Sequence, residues 1–320
     1  MGEIELSIVI PTWDSKDQVV GCLQSIYKCV QGISFEVLLV VNGSRDGTQE
    51  VVKDTFPNVI LIDNGKNLGF TKGTNLGIRR SRGKYVLLLN DDTVVLPGAL
   101  EEMMTYLEEH HDVGSVGPQL INRDGSKQNC IHNFPSVQTE IVPLFLMQIL
   151  YPRQYPNKRV HYDKPMDVPS ILGACMMIKR ETIEKVGLLD EGFFSYMEET
   201  DWHLRALHMG YRTVHIPYIQ VYHLLGASSK KRFPGPSRVE YYRSLYRFYW
   251  KRYGTNVYRI ILFIKLFKLM VNVSSLFLVC MVTLFRKEGP RSRLRSYAYL
   301  LAWHFRGCPA HMGLSGDQGK

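Results

Sequence analysis

The sequence predicts an α/β protein with a mostly parallel, doubly wound sheet and a basic, apolar helical extension at its C-terminal end. Three observations carry that expectation. Strand-like and helix-like stretches alternate through roughly the first 110 residues, the pattern of parallel strands joined by right-handed crossovers. Tyr85-Val-Leu-Leu-Leu89 is an unbroken apolar run that stops abruptly at Asn90-Asp91-Asp92, as in a strand buried on both faces that delivers polar groups where open α/β sheets bind ligands. Charge is also unevenly placed: residues 228–320 hold 18 Lys and Arg against three acids (+15), whereas residues 1–227 hold 21 against 27 (−6).

In chain order, Leu6-Ser-Ile-Val-Ile-Pro11 is a buried strand closed by proline, and Ser15 with Gln18 reads as a capping box opening a helix that carries Val19, Leu23 and Ile26. Residues 35–41 form a second strand; Asp46-Gly-Thr-Gln49 offers another cap, and residues 59–62 a third, short strand. The stretch from Asn67 to Gly77 is rich in small residues that let a helix approach a sheet or a ligand closely, with Gly83 ending that helix. Pro97 suits the first turn of a helix running to about His110. Residues 113–121, the Asp124-Gly125 turn and the proline-rich stretch to Pro169 read as irregular loops over the ligand edge. Residues 171–178 are another buried strand, residues 181–186 a short helix, and Glu198-Glu-Thr-Asp201 opens a further one in which Asp201 and Arg205 can pair across a turn. Residues 211–223 are strand-like and broken by Pro217.

Beyond residue 228, Lys230, Lys231, Arg232, Arg238, Arg243, Arg247, Lys251 and Arg252 interleave with six aromatic residues. Residues 269–285 then form 17 uncharged positions, short of the ~20 that a spanning helix needs. Lys265, Lys268, Asn272 and Ser275 lie at helical spacing as one polar stripe, which suits a helix lying in a membrane interface. Arg286, Lys287, Arg291, Arg293 and Arg295 follow, as beside an anionic cytoplasmic leaflet. A helix packed on the rest of the protein, or on a second copy, is the plainer alternative. Single-stranded nucleic acid also fits interleaved basic and aromatic residues, but the strand-end acids and the apolar helix favour lipid, so no nucleic-acid partner is expected.

At 45% hydrophobic and 22% charged, the composition is that of an ordinary globular chain. The N-terminus lacks a basic and apolar leader, and six isolated cysteines form no Cys-x-x-Cys pair; together they suggest reduced thiols in a cytosolic compartment. Neither a dinucleotide-binding glycine fingerprint nor a P-loop occurs. Carboxylates at a strand end suit a hard divalent cation shared with a substrate diphosphate, although acids there also serve simply to cap the next helix.

Taken together, Ser7-Ile-Val-Ile-Pro11, Val41-Asn-Gly-Ser-Arg-Asp-Gly-Thr48, Asn67-Leu-Gly-Phe70, Asn75-Leu-Gly77, Leu89-Asn-Asp-Asp-Thr93, Phe134-Pro-Ser136, Gly173-Ala174, Glu198-Glu199 with Asp201, and His223 resemble the family-2 inverting glycosyltransferases. The likeness is to the branch with rhamnosyl- and galactofuranosyltransferases, and it spans residues 5–255 in the family's order. It implies a GT-A type fold over residues 1–227, with a nucleotide-sugar half (about 1–120) and an acceptor half (about 121–227); the basic, aromatic and apolar character of residues 228–320 makes that region the one expected to associate with a membrane. It also implies Mg²⁺ or Mn²⁺ held by Asp92 and His223, with Asn90 in place of the family's first acid. Donor contacts would come from Pro11, Thr12, Trp13, Asn42, Ser44, Asn67, Gly69, Phe70, Lys72, Asn75, Asn90 and Asp91.

The family commonly has Asp-Asn where this chain has Val41-Asn42, and valine cannot accept a hydrogen bond from the base. The family's catalytic base falls on Glu199, with Asp201 second and Glu198 third. The implied partners are a nucleotide-diphosphate sugar, a lipid-linked or glycan acceptor and an anionic membrane surface at the cytoplasmic face; a homo-oligomer stays open. The alternatives are a sugar-nucleotide pyrophosphorylase and a non-catalytic membrane-associated binding protein.

Overall fold

Eight strands follow one another across the main sheet in the order β3-β2-β1-β4-β10-β6-β11-β5, with β8 added on β11. The computed structural model describes residues 3–152, 154–156, 162–224 and 233–314; Lys230, Lys231 and Arg232 of the basic stretch lie outside them. β1 (Leu6–Thr12) is buried along its whole length and pairs in parallel with β2 (Phe35–Val41) on one side and β4 (Tyr85–Leu89) on the other. β3 (Ile60–Asp63) extends the parallel edge beyond β2. Strand order thus reverses between β1 and β4, the place where doubly wound sheets open a crevice at their carboxyl ends.

On the other side of β4, β10 (Cys175–Lys179) runs antiparallel and bridges to β6 (Val113–Ile121), which pairs in parallel with β11 (Arg212–His223). β5 (Thr93–Val95) and β8 (Met166–Asp167) pair antiparallel with β11. A two-stranded sheet joins β7 (Ile131–His132) to β9 (Ser170–Ile171).

The crossover helices are α1 (Lys16–Cys29), α2 (Thr48–Thr55), α3 (Phe70–Arg80) and α4 (Ala99–Glu109). The amide of Lys16, which opens α1, donates to Asp46 Oδ2 at 2.7 Å, while Ser15 Oγ turns back to Trp13 O. The capping box expected at Ser15 is therefore replaced by a cap from the next loop. α3 ends at Arg80, three residues before Gly83, and Pro97 precedes α4 rather than entering it.

Residues 113–121, expected to be irregular, form a fully buried nine-residue strand. Its glycines and Pro118 look like loop residues in one dimension. In the sheet, a Cβ at Gly117 would stand 2.8 Å from Ile171 Cδ1, and β10 pairs with β6 only at Ser115 and Val116, so the missing N–H of Pro118 breaks no ladder there. Pro217 likewise does not end its strand: the ladder with β6 slips between Ile216 and Gln220, and β11 resumes to His223.

The chain divides into two units. The first holds residues up to Phe134, Leu144–Gly192 and Glu198–Lys230, including the sheets, α6 (Leu144–Leu150), α7 (Arg180–Val186) and α8 (Glu198–His208). The second holds Pro135–Pro143 with α5 (Val137–Ile141), the segment Phe193–Met197 and the C-terminal helices α9 (Gly235–Val282) and α10 (Glu288–Phe305). Gly254, at φ 80° and ψ 179°, breaks α9 into two stretches.

Within the second unit, Leu245, Tyr246, Phe248 and Tyr249 are buried with Leu300 and Trp303. Three of the six interleaved aromatics thus serve as a core, whereas Tyr241 and Trp250 are exposed. Lys265 pairs with Glu140 at 2.7 Å and Lys268 donates to the Glu140 carbonyl, so half of the expected polar stripe docks α5.

Gly77 of α3 sits where a Cβ would lie 2.3 Å from Val9 Cγ1, whereas Gly21 of α1 has nothing within 4 Å. Gly77→Ala is expected to destabilise the protein by about 1–3 kcal/mol, and Gly21→Ala to stabilise it by up to about 1 kcal/mol. Urea unfolding followed by tryptophan fluorescence checks both, and equal midpoints would contradict the packing argument.

Candidate active site

The polar turn after β4 is held from every side. The Asn90 amide donates to Ala174 O at 2.9 Å, Thr93 Oγ1 donates to Asn90 O at 2.7 Å, and the Leu224 amide donates to Asp92 O at 2.8 Å. Thr12 Oγ1, at the end of β1, donates to Asp91 Oδ2 at 2.6 Å, joining the two strands that flank the crevice. Burial pushes the Asp91 carboxyl up to about 7 against the opposing pull of the Thr12 hydroxyl.

Pairing of β5 with β11 sets His223 opposite Thr93. His223 Nε2 then lies 3.2 Å from Asp92 Oδ1, with Asn90 Nδ2 at 3.4 Å. On the other side of the ring, Nδ1 meets Gln128 Oε1 at 2.8 Å. The Gln128 Nε2 donates to His223 O and to Asn122 Oδ1, so its oxygen is the atom turned to the imidazole. Nδ1 therefore carries a proton, and Nε2 is the ring atom turned to Asp92 and Asn90.

Among the described residues no three His, Cys, Asp or Glu side chains converge as a metal cage. Asp92 and His223 could supply the one or two protein ligands that a cation shared with substrate phosphates takes, so the donor set fits a divalent ion.

Around β1, β2 and α3, Pro11 and Thr12 are buried in the strand end and Trp13 is half-buried beside them. Ser44 Oγ accepts from the Asp14 amide at 3.0 Å, and Asn67 Oδ1 accepts from the amide of Gly69, the residue before Phe70 and the first turn of α3. Lys72 is exposed on that helix. Two expected donor contacts are turned inward instead. Asn42 is buried, with Oδ1 taking the Asn64 amide at 2.8 Å and Nδ2 reaching Gly69 O at 3.4 Å. Asn75 is fully buried, with its amide bonded to Leu189 N and O and to Glu191. Asn75 pins the loop after α7, because a buried side-chain amide has to satisfy both of its ends.

On the acceptor-side sequence, Tyr196 and Met197 hold left-handed φ values of 72° and 68° directly before α8, a strain typical of functional turns. Glu198 and Glu199 are both buried, and each has an Oε2 with no hydrogen-bond partner. Desolvation, and then repulsion from Glu199, raises Glu198 well above the usual carboxylate range; burial pushes Glu199 up to about 7. The pair is thus split, Glu198 holding a proton while Glu199 ionises near neutrality. His132 Nδ1 stands 3.6 Å from Glu199 Oε1.

Asp201, the second candidate base, is fully buried against Arg205 Nε at 3.0 Å, and the same guanidinium donates to Val186 O and Leu188 O. Its role is a tie between α8 and α7. Gln128 and His132 were not expected at the site; both lie in the stretch read as loop, and no motif marks them.

The profile of glycosyl transferase family 2 matches residues 7–187. The chain belongs to glycosyl transferase family 2. As a member it is a glycosyltransferase, which sets aside the pyrophosphorylase and the non-catalytic alternatives. It is similar to the N-acetylglucosaminyl-diphospho-decaprenol L-rhamnosyltransferase of Mycobacterium tuberculosis, 28% identical over 229 residues that cover 66% of this chain and 73% of that protein. It is 26% identical over 201 residues to the dTDP-rhamnosyl transferase of Shigella flexneri, covering 61% of this chain and 62% of that one. The mannosyltransferase of Pyrobaculum calidifontis, solved with GDP-Man and Mn²⁺, superposes with a TM-score of 0.57 at 18% identity, covering 96% of this chain and 87% of that one. These likenesses support the GT-A type fold with a C-terminal helical region.

The carboxyl pair also makes a prediction about stability. A buried carboxyl whose folded value lies well above its ordinary 4.5 costs nothing while both states are protonated, and its cost grows as pH rises from that ordinary value towards the raised folded one, levelling off beyond it. Glu198→Gln is therefore expected to raise the thermal midpoint more in mildly alkaline than in mildly acidic buffer. Scanning calorimetry across that range checks it, and a gain that shrinks with rising pH would contradict the burial argument.

Proposed function

We propose that this glycosyltransferase is metal-dependent and inverting, and moves a sugar, rhamnose first among candidates, from a nucleotide-diphosphate sugar to a lipid-linked or polysaccharide acceptor. The observation that carries the reading is the Asp92–His223 pair, an oxygen and a ring nitrogen facing each other at 3.2 Å. Asp92 and His223 would hold Mg²⁺ or Mn²⁺, which when bound neutralises the departing diphosphate. Rhamnose is supported by the activities for which the mycobacterial and Shigella relatives are named, and a lipid-linked acceptor by that of the mycobacterial one.

In the step itself, the acceptor hydroxyl oxygen forms a bond to the anomeric carbon as the carbon–oxygen bond to the diphosphate breaks. Glu199 takes the hydroxyl proton, and a single displacement inverts the anomeric centre. Glu198, protonated beside it, spares Glu199 a second negative neighbour. At the donor end, Thr12 fixes Asp91 and the β1 strand end against which the nucleotide lies. Residues 1–227 form the catalytic region in this reading, with donor binding in about the first 120 positions and acceptor binding after them.

The second stretch of α9 supports attachment to the cytoplasmic face of a membrane. Phe263, Leu278, Val282 and Leu284 are 72%, 64%, 84% and 70% exposed, and Arg286, Lys287, Arg291, Arg293 and Arg295 follow directly. By length and composition α9 can cross a bilayer. Because Lys265 and Lys268 are held by α5, a helix lying in the interface accords better with the contacts.

Asp92→Asn is expected to abolish transfer, and thorough chelation to do the same; full activity in a chelated sample overturns the metal reading. Glu199→Gln should keep donor binding and lower transfer at least about 100-fold, and wild-type activity should rise with pH through about 7 as Glu199 loses its proton. A rate that falls over that range, or a Gln variant with normal transfer, removes Glu199 as the base. Replacing Phe263 and Leu278 together with Glu should release the protein from phosphatidylglycerol vesicles in co-sedimentation, and high salt should weaken the wild-type association. Unchanged partitioning of the double variant contradicts the membrane assignment.

A further inference from the structure

We propose that Gln128 is a positioning residue for the cation site, fixing which nitrogen of His223 carries the proton and so aiming the Nε2 lone pair at Asp92. The proposal rests on the reading of Asp92 and His223 as metal ligands, and adds a residue that none of the sequence motifs marks.

The argument is one of donor and acceptor direction. A side-chain amide can present either its oxygen or its nitrogen to a neighbouring ring, and the two choices select opposite imidazole tautomers. At Gln128 the choice is settled by two acceptors on the far side. Its Nε2 donates at 2.5 Å to the backbone carbonyl of His223, which can only accept, and at 2.8 Å to Asn122 Oδ1.

The Asn122 amide is itself directed. Its Nδ2 donates to Ser126 Oγ at 2.9 Å, and that hydroxyl spends its proton on Asp124 Oδ1 at 2.6 Å. The Asp124-Gly125 turn thus starts a polar chain in which each group points one way, from the Asp124 carboxylate through Ser126, Asn122 and Gln128 to His223 Nδ1. Hydrogen bonds of Ser126 hold the Asp124 carboxyl below its ordinary value, so the chain starts from an acceptor that carries no proton.

At the other end, an imidazole that ligates a cation through Nε2 keeps one proton, and Gln128 Oε1 at 2.8 Å places it on Nδ1. Metal-binding histidines generally depend on such a partner on the second nitrogen, and its removal typically costs about 10–100-fold in metal affinity.

The test is Mn²⁺ titration of the full chain in detergent, reading free Mn²⁺ by electron paramagnetic resonance. Gln128→Met, which keeps the length and loses the acceptor, should weaken Mn²⁺ binding by about 10–100-fold. Gln128→Glu keeps an oxygen acceptor against Nδ1 but loses both donations on the far side, and should bind Mn²⁺ nearly as the wild type does. If Gln128 only held the 122–128 turn in place, Met and Glu would weaken binding alike, and that result overturns the proposal. Met binding as tightly as wild type does the same.

Asp92→Asn separates this proposal from the reading beneath it: wild-type affinity in that variant removes the metal site itself, and the proposal with it. Should the Met variant not fold, the nitrogen chemical shifts of His223 in the wild type decide. A proton on Nδ1 in mildly alkaline buffer supports the proposal, and a proton on Nε2 overturns it.

Discussion

The turn that follows β4 is the constraint on which the rest of the site depends. β4 is buried along all five residues between β1 and β10, so its carboxyl end has one way out, into the crevice beside β1. Three polar residues leave the strand there, and each is captured by a different element: Asn90 by Ala174 before β10, Asp91 by Thr12 of β1, Asp92 by the strand end at His223 and Leu224. A strand end that was less completely buried would leave these carboxylates free to turn to water. Here the sheet's hydrophobic interior forces polar groups to one rim, and hydrogen bonds divide their labour. Asp91 braces the protein while Asp92 is turned to His223.

The carboxyl pair of α8 shows the opposite economy. Glu198 and Glu199 open a helix, where the backbone dipole favours negative charge, yet burial overrides that preference and raises both groups. Two buried Oε2 atoms without partners are a cost that a purely structural helix start would avoid with Ser or Asp exposed as a cap. The residues before them are strained as well, and within the second unit that strained segment is gripped. Ser244 Oγ donates to Ser195 O at 2.8 Å, Tyr196 stacks edge-on with Tyr241, and Arg247 and Lys251 lie over the Phe193 ring. Part of the basic and aromatic character of the C-terminal third is therefore spent holding the segment that leads into the carboxyl pair.

Most of the α/β framework was legible in the sequence because buried parallel strands write themselves as apolar runs: residues 6–11, 35–41 and 85–89 needed no tertiary information. The acid turn and the Asp201–Arg205 pair were legible for a similar reason, since both depend on spacing along one element. What escaped depended on partners distant in sequence. Residues 113–121 look like a loop until Ile171 and β11 close over their glycines. Asn75 looks like a ligand contact until Leu189, 114 positions away, occupies its amide. Gln128 has no local signature at all, because its meaning comes from a carbonyl and a ring 95 positions further on.

The same contrast explains why the two chemical centres are built so differently. In the proposed reading His223 is a cation ligand, which has to present a lone pair in a fixed direction, and the ring is held by hydrogen bonds on Nδ1 and on its own carbonyl. A proton acceptor has to be basic near neutrality, which a fully satisfied carboxylate is not, since each donated hydrogen bond lowers its affinity for a proton. Glu199, the proposed base, is buried with one oxygen unpartnered and a protonated neighbour beside it. Direction at the first comes from completed hydrogen bonds; basicity at the second comes from burial, which outweighs the hydrogen bonds that Glu199 accepts from its own amide, from Glu198 and from the Thr200 amide.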